Sequence, residues 1–218
     1  MHNMESKNKI LQPKMPLVLN EINLSSTEMC DEFSLSLGLI SHCTLSEMAV
    51  EKVSFEKTYF KDVTFKDVAL KRIELTDVIF EECDLSNVDF SEAVIHRSKF
   101  INCKLVGTNI SASVLRNVTF DSCSAKYAFL RFADIKQVAF LNCDLRQADF
   151  SNSIFSKMDF DRSNLSSAQM SGTKLAGVDL SSCEIEGFGT SVEDIFGAIV
   201  SSIQAVSLSR LLGIKIKE

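Results

Sequence analysis

The 218-residue chain is 45% hydrophobic and 24% charged, with a formal net charge of −6, a balance that fits a soluble globular protein and excludes a disordered one. No run approaches the ~18 to 20 apolar residues needed to span a bilayer, and the mild acid excess excludes an ordinary basic face for nucleic acid. The start, MHNMESKNKILQPKMPLV, mixes charges with Pro13 and Pro16 and has no apolar signal-peptide core, so the expected compartment is the cytoplasm, where the seven cysteines stay reduced.

Taken in chain order, residues 1–30 form an N-terminal extension, expected to be a partly ordered cap. It holds one of three histidines, His2, and the unassigned Cys30.

From Leu35 to Ile185 every fifth residue falls in one phase. Of these 31 positions, Leu35, Ile40, Leu45, Val50 and so on, only Ala125 lacks a bulky apolar side chain. Two residues before each lies a column of smaller side chains, among them Val63, Val68, Cys83, Val88 and Ala93. Neither the 3.6 of a helix nor the 2.0 of a strand produces a period of five, so internal repetition governs this stretch. A five-residue unit with one large and one small inward residue fits one side of a square coil. Four sides make a turn of twenty, and about eight coils at ~4.8 Å give a parallel β rod of about 37 Å. The expected domain spans residues 31–187.

Two columns repeat at twenty. Phe60, Phe80, Phe100, Phe120, Phe140 and Phe160 form a core stack, and Cys43, Cys83, Cys103, Cys123, Cys143 and Cys183 a thiol column interrupted by Val63 and Ser163. A line of thiols does not converge on a tetrahedral metal, and valine, serine, alanine and threonine fill equivalent slots, so the cysteines read as small buried hydrophobes. His42 and His96 point outward far apart, and no catalytic motif is present, so no catalytic, cofactor or metal residue is assigned and no enzyme is expected.

Two surface features stand out. The position before the large core residue is acid-rich, with Glu74, Asp84, Asp89, Asp134, Asp144, Asp149, Asp159, Asp179 and Glu184 against Lys99, Lys104 and Lys174. Either Asp and Asn are there for turn geometry, or they form an acidic face for a basic partner. The second feature is Tyr127, Phe129 and Phe132, outward aromatics beside the gap at Ala125. They mark a binding patch, or they fold over to fill the gap.

After Ile185 the rule of five stops. Thr190 or Ser191 caps a helix opening with Glu193-Asp194, and Ser201 or Ser202 caps a second over Ile203 to Leu212, stopped by Gly213. On that helix Ala205, Leu208, Leu211 and Leu212 gather on one side and Ile203 and Val206 on the other, followed by Ile214 and Ile216 alternating with Lys215 and Lys217. Two apolar edges imply one surface for the rod and another for a second subunit. Residues 188–218 are thus expected to be a helical homodimerisation segment, with Ile203, Val206, Leu208, Leu211, Leu212, Ile214 and Ile216 in the interface.

The units Val88-Asp89-Phe90, Ala148-Asp149-Phe150, Ala133-Asp134-Ile135, Cys143-Asp144-Leu145, Ser163-Asn164-Leu165 and Val178-Asp179-Leu180 resemble the pentapeptide-repeat family, whose unit is A(D/N)LXX. The resemblance covers about 150 residues and implies an all-β, right-handed quadrilateral parallel β-helix. The ending Gln204-Ala-Val-Ser-Leu-Ser-Arg-Leu-Leu-Gly213-Ile-Lys-Ile216 resembles the C-terminal helix and short strand of the quinolone-resistance (Qnr-like) branch. That implies a dimeric rod that mimics duplex DNA, binds DNA gyrase or topoisomerase IV and protects it from quinolones, with no cofactor and no direct contact to nucleic acid or membrane. The rival reading is an inert scaffold for an unrelated protein, since fold alone does not select a function.

Overall fold

The computed structural model describes residues 9–217. The strands are β1 (Asn20–Glu21), β2 (Ser34–Ser36), β3 (Gly38–Glu51), β4 (Ser54–Glu56), β5 (Tyr59–Lys71), β6 (Glu74–Thr76), β7 (Ile79–Glu81), β8 (Val94–Ile101), β9 (Val114–Asp121), β10 (Asp134–Leu141) and β11 (Ile154–Asp159). From β2 onward every ladder is parallel and joins residues twenty apart, as in Phe60↔Phe80, Val94↔Val114 and Asp134↔Ile154. The result is a β-solenoid of about seven turns. The count is one below the expected eight because the end units complete only part of a turn.

A corner every five residues requires a backbone reversal every five residues. It is made by a left-handed residue two places after the large core side chain, for instance Asn87 (φ 59°), Gln147 (58°) and Gly172 (78°), with Ser182 an exception. Two sides of the coil differ from the other two. At Leu85–Val88 and Leu145–Ala148 the i+3 amide donates to the i carbonyl at 3.2 and 3.0 Å, a turn whose third residue takes positive φ. Along β8 to β11 the strand ladder instead runs on through the left-handed corner residue, as at Arg97 and Asn117.

The rings of Phe60, Phe80, Phe100, Phe120 and Phe140 lie 4.6 to 4.9 Å apart within 11° of parallel, and Phe160 continues the stack at 5.6 Å. Each fully buried phenylalanine contributes about 1.5 to 3 kcal/mol from burial. The small inward column has its own rule: its side chain donates to the carbonyl 23 residues earlier. Thr108 donates to Leu85, Ser163 to Phe140 and Thr173 to Phe150 at 2.7, 3.0 and 2.7 Å. The thiols of Cys83, Cys103, Cys123 and Cys143 do the same at 3.4 to 3.5 Å. Cysteine, serine and threonine are therefore interchangeable there.

Both ends are covered. Leu24 and Met29 are buried over the first coil, where β1 pairs with β3 at an offset of eighteen (Asn20↔Gly38). At the other end the ladder continues past Ile185 to the bridge Asp179↔Ile199, with Ile195 and Val200 half-buried in phase. Helix α1 (Val192–Ile195) is capped by Ser191, and α2 (Ser202–Leu208) by Ser201 with Gln204. A tighter turn over Ser209–Leu212 then stops at Gly213 (φ 71°). Residues 214–217 form no strand, unlike the expected ending. Residues 1–8, including His2, lie outside the described residues. Residues 9–14 run along the outside of the coils.

Candidate functional site

The interior offers no chemistry to a ligand. Contacts between neighbouring thiols, together with burial, hold Cys83 and Cys123 in the neutral form, and burial pushes Cys183 up to about 11. All seven cysteines are unpaired in disulfides, and Cys30 alone is exposed. Among the described residues no cluster of three or more His, Cys, Asp or Glu could hold a metal ion. His42 meets Asp62 at 2.9 Å in the open, while His96 lies beside Arg97. Among the described residues no helix is long and apolar enough to cross a membrane. The functional features are on the outside.

The acidic column is held by its own surroundings. Asp84, Asp89, Asp149 and Asp179 each accept the amide of the residue two places on, at 2.9 to 3.1 Å. This side-chain turn stabilises the corner locally. Cations also reach them: Lys104 on Asp84, Lys71 on Asp89, Arg146 and Lys126 on Asp144, Arg131 on Asp149 and Arg116 on Asp134. In Asp144 the Arg146 fork holds the carboxyl below its ordinary value. Asp84 is likewise lowered, although burial opposes it, because Ser86 and Lys104 outweigh that penalty. Glu74 points to solvent, and Asp159 interacts locally.

The aromatics stay outside. Tyr127, Phe129 and Phe132 are 53%, 39% and 64% exposed, while Ala125 is buried beneath its own corner. Phe129 carries the Arg131 guanidinium 5.4 Å from its ring centre. Two places after Phe132 runs a column that the five-residue reading missed. Val94, Val114, Asp134 and Ile154 are register neighbours, and Val94, Val114 and Ile154 are exposed hydrophobics. Asp134, ion-paired to Arg116, interrupts this apolar edge between Val114 and Ile154, and Phe132 is exposed at the corner two residues before it. Reading the sequence at twenty would have found it, since Glu74, Val94, Val114, Asp134, Ile154 and Lys174 change from charged to largely apolar in mid-rod.

The C-terminal face is the other exposed apolar surface. Ile203 and Val206, then Leu211, Leu212, Ile214 and Ile216, are open to solvent, joined by Phe196 and Ile199, which sequence reasoning did not single out. Leu208 differs from the expected interface set, because it packs against the rod core. Ala205, Leu211 and Leu212 are exposed and do not pack into the rod core. Buried Gln204 does, donating to the carbonyls of Leu180 and Cys183 at 2.8 Å each. An open coil end presents unpaired carbonyls, and an amide donor satisfies them where a leucine could not.

The repeat has relatives among known proteins. The pentapeptide repeat region model matches residues 73–150, and the model of pentapeptide repeats in eight copies matches 143–181. The chain belongs to the pentapeptide-repeat family. The SV2A/B/C luminal domain model also matches residues 25–111. The uncharacterized protein YisX of Bacillus subtilis (strain 168) is 36% identical over 132 residues, 61% of this chain and 62% of that protein's length. Among solved pentapeptide-repeat structures, HetL from Nostoc sp. strain PCC 7120, involved in heterocyst differentiation regulation, aligns with a TM-score of 0.41. It has 16% identity and covers 79% of this chain and 91% of that one. Full-length QnrB1, a plasmid-mediated fluoroquinolone resistance protein, aligns at 0.36 with 18% identity, covering 85% and 97%. In the present pentapeptide-repeat rod, repeat chemistry consumes the polar side chains of the corners and leaves the apolar edge and C-terminal face free.

Proposed function

We propose that this chain is a non-enzymatic rod that binds a protein partner, and that the partner is a type II topoisomerase, DNA gyrase foremost. The observation that carries the binding half is the group of exposed apolar side chains Phe132, Val94, Val114 and Ile154, with Asp134 standing between the last two, because clustered exposed apolar surface marks interaction sites. The gyrase half is supported by the resemblance of the ending Gln204 to Ile216. The surplus of 23 acidic over 17 basic residues between 31 and 190 adds to it. Because cations neutralise much of the acidic column, the contact rests on the edge more than on mimicry of phosphate charge. The C-terminal face would join two rods into a homodimer.

The test is gyrase supercoiling with and without ciprofloxacin at micromolar protein. Inhibition of supercoiling, or its rescue from the drug, is expected. If neither occurs, the gyrase reading fails and the alternative stands, a scaffold for an unrelated protein. That reading draws on the same edge.

A further inference from the structure

A different face of the rod is already occupied. Outward residues on a solenoid normally meet solvent, yet Asp77, Asn117, Thr119 and Ala139 are 1%, 8%, 6% and 3% exposed. Residues 9–16 pass over this face. The Lys14 amide donates to Asp77 Oδ1 at 2.9 Å and the Leu11 amide to Asn117 Oδ1 at 3.1 Å, while the Lys9 carbonyl accepts from Gln137 Nε2 at 3.1 Å. Asp77, Asn117 and Gln137 lie in one corner column, with Arg97 on the coil between the first two, and all are left-handed. From Asp77 to Gln137 is three coil steps, about 14 Å at strand spacing. Five residues of extended chain reach about 16 Å. The segment therefore runs straight along the rod axis, and Pro13 suits that extended course.

The recognition is directed at main-chain groups. Asp77 is fixed for it, since Arg97 grips its carboxylate in a two-pronged ion pair at 2.8 Å on each arm, leaving an oxygen aimed at an amide of the passing chain. Main-chain donors three residues apart, with a carbonyl two residues before the first, are what any extended peptide offers at this spacing. Three hydrogen bonds hold the segment from the side, without a ladder, which is the hallmark of a locally releasable element.

We propose that the corner column Asp77–Asn117–Gln137 is a docking groove for an extended, proline-containing peptide segment of a partner protein, and that residues 9–16 occupy it in cis as an exchangeable strap. The inference is independent of the gyrase reading and uses another face of the rod. Being tethered, the strap is present at an effective concentration in the millimolar range, so a free peptide competes poorly until the strap is weakened.

The test uses the full chain with Leu11→Pro and Lys14→Pro. These changes remove both donors and keep the extended backbone, so the rod is untouched. The probe is a fluorescent peptide of residues 9–18, KILQPKMPLV, followed by anisotropy beside a version with proline at positions 11 and 14, which lacks both main-chain donors. Saturable binding to the double variant, at least tenfold tighter than to the wild-type chain, is expected. Adding Asn117→Gly should weaken it, because glycine keeps the left-handed corner but loses the acceptor. No binding to the double variant, equal binding to wild type, or equal binding of the proline-substituted peptide overturns the proposal. Hydrogen exchange on the wild-type chain gives a second reading. Amides of Leu11 and Lys14 should exchange at least a hundredfold faster than ladder amides such as Ile79, and equal protection would make the strap a permanent part of the fold.

Discussion

Replacing Phe100 with alanine tests the stacked core at its centre. The ring is fully buried, 4.9 Å from Phe80 and 4.7 Å from Phe120, and nearly parallel to both. Truncating a buried aromatic costs about 3 to 5 kcal/mol through lost transfer energy and the cavity left behind. The upper half of that range is expected here, because two stacked contacts are lost and each adds about 0.5 to 1.5 kcal/mol beyond area. Coils above and below are held in register by their ladders, so collapse into the gap is restricted. Phe160, whose ring is 5.6 Å from Phe140, should cost less when truncated. Lys99→Ala, one residue away but outward, removes only a contact to Asp121 at 4.0 Å, and should stay within about 0.5 kcal/mol. Urea titration followed by circular dichroism gives the three values. Equal midpoints for Phe100→Ala and Lys99→Ala would refute the five-residue register.

Further outcomes follow from other features. Cys83, Cys103, Cys123 and Cys143 should resist a thiol reagent until the chain unfolds while Cys30 reacts at once, and stoichiometric zinc by elemental analysis would contradict the packing role. Burial works against the Asp77 carboxylate, but Arg97, the Lys14 amide and Lys57 together lower its pKa. Its stabilisation of the strap is therefore complete above the ordinary carboxylate pKa of about 3.9 and fades as pH falls toward the lowered value. Lys14 amide protection, corrected for intrinsic rates, should drop only in that acid window. Phe132 is bulky yet left-handed (φ 58°), so Phe132→Asn should stabilise the fold by about 1 kcal/mol, raising Tm by about 2 to 4 °C. Light scattering should report twice the 24.2 kDa chain mass, falling to one chain mass in Ile203→Glu/Val206→Glu; a wild-type monomer would remove the dimer.

The coil and its two inward columns were legible because burial on a square coil imposes a period of five, and each inward side chain carries that constraint. Contacts that join coils through surface groups leave no such trace. The strap pairs Leu11 with Asn117 and Lys14 with Asp77 by main-chain donors, which any residue but proline supplies. The apolar edge was hidden by pooling four faces at a period of five, which mixed Val114 and Ile154 with the acids of other sides. At the C-terminus a helical wheel sorted by hydropathy singled out the apolar side chains and passed over Gln204. The open coil end instead calls for hydrogen-bond donors, and Gln204 supplies them. Ala125 alone gave no hint whether the aromatics would cover it, since a corner can bury its own small residue.

Isothermal titration of purified gyrase with three forms of the rod addresses the proposed function most directly. The wild-type chain should bind, Phe132→Glu/Ile154→Glu should bind at least tenfold more weakly, and Asp84→Asn/Asp144→Asn, which keeps an acceptor for each corner, should bind like wild type. No binding by the wild-type chain, or loss of binding in the asparagine variant with the edge variant unaffected, would contradict docking through the apolar edge.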